Sequence, residues 1–69
     1  MKISARNALK GMIRSIDKGP INSEVIIDVG RGVLISSVIT VNAVENLNLT
    51  EGKEVYAVIK SSEVMIAVD

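Results

Sequence analysis

Two short polar segments stand near opposite ends of this 69-residue chain, and both carry groups suited to an anion. Ser4-Ala5-Arg6-Asn7 combines a hydroxyl, a guanidinium and an amide at what reads as a helix-like start. Backbone N–H groups at such a start point outward, and Arg6 adds a rigid fork of donors. Lys60-Ser61-Ser62 groups a cation, hydroxyls and amides in a tight link between strands, where consecutive N–H groups can form an anion-holding nest. Each segment alone also has a plain reading, with Ser4 as a helix cap and Lys60-Ser61-Ser62 as a polar turn. Together they supply two positive charges, several hydroxyls and amides, and no acid. That inventory matches a doubly charged tetrahedral oxyanion.

The rest of the chain argues against catalysis. It has no histidine for general-base work and no cysteine nucleophile. The carboxylates Asp17, Glu24, Asp28, Glu45, Glu51, Glu54, Glu63 and Asp69 are spread singly, so none is paired to push two pKa values apart. The glycine patterns of phosphate-binding loops are missing. We therefore expect no enzyme, no catalytic residue, no free metal cation and no cofactor. Eight basic and eight acidic residues cancel, and Tyr56 is the sole aromatic residue. Without a basic stripe or a stacking platform, nucleic acid is not an expected partner.

The elements that must position these groups read as mostly β. Ser4 to Leu9 is expected to form one turn of helix or a tight bend, with Gly11 ending it. Met12 to Asp17 reads as a first strand, and Lys18-Gly19-Pro20 as a turn. Ser23 to Val29 is a strong strand, Gly30-Arg31-Gly32 a hairpin connection, and Val33 to Thr40 a third strand. Asn42 to Leu47 suits a short helix capped by Asn42. Glu54 to Lys60 and Glu63 to Val68 complete five strands. The expected class is all-β: a five-stranded, OB-like Greek-key barrel with one short helix, as a single domain over 1–69, with a small open sandwich as the competing architecture.

A domain of this size buries only about 60% of the surface its unfolded chain exposes. Disulfides and zinc are unavailable for want of cysteine and histidine, which leaves partner subunits as the source of extra stability. Several strands are apolar on both faces: Val33, Ile35 and Ile39 oppose Leu34 and Val38, while Val55, Ala57 and Ile59 oppose Tyr56 and Val58. Such strands have more to bury than one thin core accommodates, so a homo-oligomer is expected. No apolar run reaches the roughly 20 residues of a membrane span, and the N-terminus lacks a signal peptide's apolar core. A cytoplasmic location without membrane contact is the expectation.

At Ser4-Ala5-Arg6-Asn7 followed by Leu9-Lys10-Gly11, and again at Glu51-Gly52-Lys53-Glu54-Val55 and Val58 through Ala67, the chain resembles the Mop or TOBE domain family. Its length is similar to that of the molbindins, small bacterial molybdate-binding proteins. The resemblance covers essentially the whole chain. It implies an OB-like barrel, segment-exchanged dimers and a hexamer built as a trimer of dimers, with oxyanions at subunit interfaces. It further implies ligand contacts from Ser4, Ala5, Arg6, Thr40, Lys60 and Ser61, the two end segments meeting across a subunit boundary. A second, axial oxyanion site is placed at Gly19, Ile21 and Asn22. Pro20 and Asn48 depart from the family's pattern, the former beside that axial site. Nothing offers an aromatic slot for a pterin.

The resulting expectation is storage or homeostasis of molybdate, with tungstate a close competitor because the two dianions are nearly equal in size. Sulfate is smaller, and a rigid pocket would hold it through longer, weaker hydrogen bonds. The alternative is an oxyanion-sensing regulatory or assembly module, related to domains fused to transporter ATPases and DNA-binding regulators. The lack of a fused domain favours storage.

Overall fold

The computed structural model describes residues 1–69. Four antiparallel strands form one curled sheet: β1 (Asn7–Lys18), β2 (Asn22–Asp28), β3 (Leu34–Thr40) and β4 (Glu54–Ile59), in the order β3-β2-β1-β4. A short helix, α1 (Val41–Asn46), links β3 to β4, and a 3₁₀ turn (Ser61–Glu63) follows β4.

β1 organises the sheet because it pairs with β4 through its first half and with β2 through its second. Met12 is the crossover, opposite Glu54 on one side and Asp28 on the other. A bulge between Ile13 and Ser15 leaves Arg14 as the extra residue. The bulge resets the alternation, so Gly11 and Ile13 face inward before it and Ile16 after it; this explains the imperfect period of the sequence here. At Gly11 a Cβ would lie 2.5 Å from the Asp28 carbonyl oxygen, so only glycine lets the strands approach. The β2–β3 hairpin turns through Gly30, Arg31 and Gly32, all at positive φ, two of them glycines that adopt it freely.

The core lies on the concave face. Ile13, Val25, Ile27, Val44 and Ala57 are buried, with Ile16, Ile35, Ile39, Leu49 and Val55 packed around them. Val44 is how α1 closes one end of the sheet. Thr40 caps α1 by accepting a hydrogen bond from the Ala43 N–H at 3.0 Å, and Lys53 Nζ donates to the carbonyls of Leu47 and Asn48 at its far end. Only six residues of 69 fall in the buried class, which shows that the sheet does not close its own core. Between the two edge strands β3 and β4 an apolar trough of about 400 Å³ stays open, walled by Ile35 and Ile39 on one side and Val55, Ala57 and Ile59 on the other.

Four expectations are corrected. Of the two forms expected for Ser4 to Leu9, the chain bends at Ser4 and Arg6 but forms no helical turn, and it is strand from Asn7 onward: pairing with β4 satisfies the backbone groups that a local turn would have used. Gly11 is a close-approach residue inside a strand, not a helix terminator. Glu63 to Val68 forms no fifth strand, and the sheet has four. Beyond the 3₁₀ turn the tail has no strand partner, and Val64, Met65, Ile66 and Val68 are exposed at 51%, 94%, 91% and 91%. The helix starts at Val41, and its cap is Thr40 rather than Asn42.

Candidate oxyanion-binding site

The β1–β4 ladder determines where the two polar segments go. Asn7 opposes Ile59, so the residues just before β1 and just after β4 emerge side by side. Ser4, Ala5, Arg6, Lys60, Ser61 and Ser62, with Ile3 and Val58 as an apolar floor, line one open pocket of about 490 Å³. Residues separated by more than fifty positions thus adjoin within a single chain, where a meeting across a subunit boundary was expected. The antiparallel register accounts for this without a second subunit.

The electrostatics of the pocket are one-sided. Arg6 and Lys60 both line it, neither is in an ion pair, and no carboxylate faces it; the chain's one salt bridge joins Lys10 to Glu54. The N–H groups of Ser4, Ala5, Arg6, Ser61 and Ser62 have no acceptor in the chain. Two of these head the 3₁₀ turn, which is closed by the Glu63 N–H donating to the Lys60 carbonyl at 2.9 Å. Cations, hydroxyls and unused N–H groups therefore converge on one concavity, an arrangement that stabilises negative charge. No group of three or more acidic side chains that could hold a metal ion occurs in the fold.

Not every expected residue is there. Thr40 lies at the far end of β1, opposite Asn22 in the β2–β3 ladder, and its hydroxyl is engaged in capping α1. It belongs with Gly19, Ile21 and Asn22, which do form one cluster. The Gly19 N–H donates to the Asn22 carbonyl at 2.8 Å, and the Val41 N–H donates to the Ile21 carbonyl at 2.8 Å. Pro20 brings no N–H to this turn, and Ile21 is 72% exposed.

Two polar residues of the pocket region stand outside the set expected to bind ligand. Ser62 lines the wall directly. Asn7 donates through Nδ2 to the Ile59 carbonyl at 3.3 Å and to Ser61 Oγ at 3.5 Å. Both lie inside the polar segments, and their adjacency to Arg6 and Ser61 was the available signal.

A curled antiparallel sheet that carries an anion-suited pocket where its first and last strands meet defines a small binding domain. Residues 3–66 match the TOBE domain model, and the chain belongs to the TOBE domain family. A probable molybdenum-pterin-binding protein of Haemophilus influenzae is 52% identical over the full length of both chains. Among solved structures, MopII from Clostridium pasteurianum in an apo form superposes with a TM-score of 0.92 at 43% identity, over 97% of this chain and all of that one. The cytoplasmic molybdate-binding protein ModG, solved with molybdate bound, superposes with a TM-score of 0.89 at 40% identity, over 94% of this chain and 46% of that one.

Proposed function

We propose that this chain binds molybdate, with tungstate as a close competitor, and serves in its intracellular storage and homeostasis. The observation that carries this reading is the convergence of unpaired Arg6 and Lys60 with acceptor-free N–H groups on one pocket without a carboxylate. A tetrahedral dianion fits that charge, and the molybdate-bound relative supports the choice of ion. Ser4, Ala5, Arg6, Lys60 and Ser61 are the ligand contacts, and the role is binding rather than catalysis. The cytoplasm is the proposed location, supported by the description of ModG.

The working form is an oligomer: segment-exchanged dimers assembled as a hexamer. The open trough between β3 and β4 has room for a further strand, and the apolar tail from Val64 to Val68 has no place in its own sheet. A tail seated in a neighbouring trough answers both and supplies the fifth strand of an OB-like barrel. Thr40 then completes the pocket from another copy, since within one chain β1's length separates them. The cluster at Gly19, Ile21 and Asn22 is the proposed axial site.

Titration calorimetry of the assembled protein with molybdate, tungstate and sulfate tests this reading. Binding of the first two, weaker binding of sulfate and a fixed ratio of ions per subunit are expected. Heat indistinguishable from dilution for molybdate and tungstate overturns it.

A further inference from the structure

Three carbonyls at and beside one wall of the pocket each already accept one hydrogen bond within the chain. The Ile59 carbonyl accepts from Asn7 Nδ2 at 3.3 Å, the Lys60 carbonyl from the Glu63 N–H at 2.9 Å, and the Ser61 carbonyl from the Val64 N–H at 3.4 Å. Asn7 Nδ2 also donates to Ser61 Oγ, 3.5 Å away. The amide cannot be reversed without loss, because a carbonyl oxygen only accepts and so requires the nitrogen to face it. A serine hydroxyl has one hydrogen and two lone pairs. With one of those lone pairs engaged by Asn7, Ser61 is biased toward donating its O–H.

We infer that Asn7 is a positioning residue: it holds Ser61 as a donor toward the pocket and so biases the site against tetrahedral anions that carry a proton. This rests on the reading of the pocket as an oxyanion site. A fully deprotonated dianion such as molybdate or sulfate offers only acceptors and is served by donors alone. Hydrogen phosphate has the same charge and shape but brings one O–H, which needs an acceptor. Along Ile59 to Ser61 each acceptor already has one internal partner, so that proton is paired less well there than an acceptor oxygen is, and a poorly paired donor out of water is disfavoured. Ser4 and Ser62 have no partner for their hydroxyls in the chain, so they are equivalent in any comparison that alters Asn7 alone.

The experiment uses the full chain and compares sulfate with hydrogen phosphate at mildly alkaline pH, each as competitor against molybdate. The two differ little in size, so their ratio reports the proton. The parent protein is expected to favour sulfate by roughly tenfold, and Asn7→Ala to narrow that preference to about threefold or less. Loss of all three ions in equal proportion, with the ratio unchanged, would mean that Asn7 only holds the strand ends together and would overturn the inference. A parent protein that binds hydrogen phosphate as well as sulfate overturns it too, whether or not the variant folds. If the parent binds molybdate, either result leaves the site standing; if it does not, the site itself fails.

Discussion

Lys60→Ala and Arg6→Ala each delete one of the two cations in the pocket, and the size of the loss reports how the site is covered. A hydrogen bond to a charged group is worth about 1.5–3 kcal/mol, or roughly 10- to 150-fold in Kd. Where the value falls depends on solvent. In the single chain Arg6 and Lys60 are both exposed. Unit charges about 4 Å apart attract by ~1 kcal/mol in water but by ~4 kcal/mol at an effective dielectric constant of about 20. A pocket left open to water therefore predicts a loss of about tenfold that fades as salt is raised. A pocket roofed by a neighbouring copy predicts a loss of about a hundredfold with a shallow salt dependence, because covered charges are screened less.

Calorimetric titration of the parent and both variants with molybdate, at low and high ionic strength, separates these cases, with sedimentation confirming unchanged assembly. The double variant should lose less than the sum of the single losses, since both cations act on one ion. Lys60→Arg should not fully restore binding, because a planar fork does not reproduce a compact ammonium. If Arg6→Ala and Lys60→Ala bind as tightly as the parent, the ligand does not sit in this pocket.

Three further outcomes follow from the same structure. Ser23 is buried at 1% exposure and its Oγ has no hydrogen-bond partner; Ser23→Ala should therefore raise stability by about 1 kcal/mol, or about 4–8 °C in Tm, and a lower Tm would show that the hydroxyl is paired in the assembled protein. Replacing Met65 and Ile66 by serine should shift sedimentation toward the 7.4 kDa monomer, since burying each side chain is worth about 1.5–3 kcal/mol; unchanged sedimentation would remove the tail from the interface. Molybdate at a hundredfold excess over Kd should stabilise the assembled protein by about 2.7 kcal/mol and raise Tm with dose, sulfate doing so less; a Tm that ignores saturating molybdate counts against binding to the folded state.

Legibility in the sequence followed the range of the forces involved. The β2 and β3 strands and the Gly30-Arg31-Gly32 turn were readable because alternation and glycine chemistry are local. The start of β1 was not, because Ser4 to Leu9 has local cap chemistry and the strand state of Asn7 to Leu9 is imposed by β4, about fifty residues away. The bulge at Arg14 hid the inward face of β1 by shifting its phase. The polar inventory of the pocket was legible in Arg6, Lys60 and Ser61, yet their meeting within one chain depends on the Asn7–Ile59 register, which no local pattern encodes. The cap of α1 was legible as well: Thr40 accepts from the Ala43 N–H three residues away, a contact that a cap reading at Thr40 instead of Asn42 finds.

The pocket and the unpartnered tail are joined by a single short element. Lys60, Ser61 and Ser62 line the pocket, and the 3₁₀ turn that begins with Ser61 and Ser62 ends at Glu63, one residue before the exposed apolar stretch. The turn is held by two hydrogen bonds, from Glu63 to Lys60 and from Val64 to Ser61, and the second already involves the first residue of the tail. Fixing the tail on a neighbouring copy would therefore fix the carbonyls of Lys60 and Ser61 and, through them, the acceptor-free N–H groups of Ser61 and Ser62. An anion held between Arg6 and Lys60 in turn ties the entrance of β1 to the exit of β4 and relieves the repulsion between the two cations. Each event reduces the freedom that the other must overcome, and such coupling is reciprocal by thermodynamic necessity. A chain with so small a buried core would in this way draw stability from the same few residues that we propose hold its ligand.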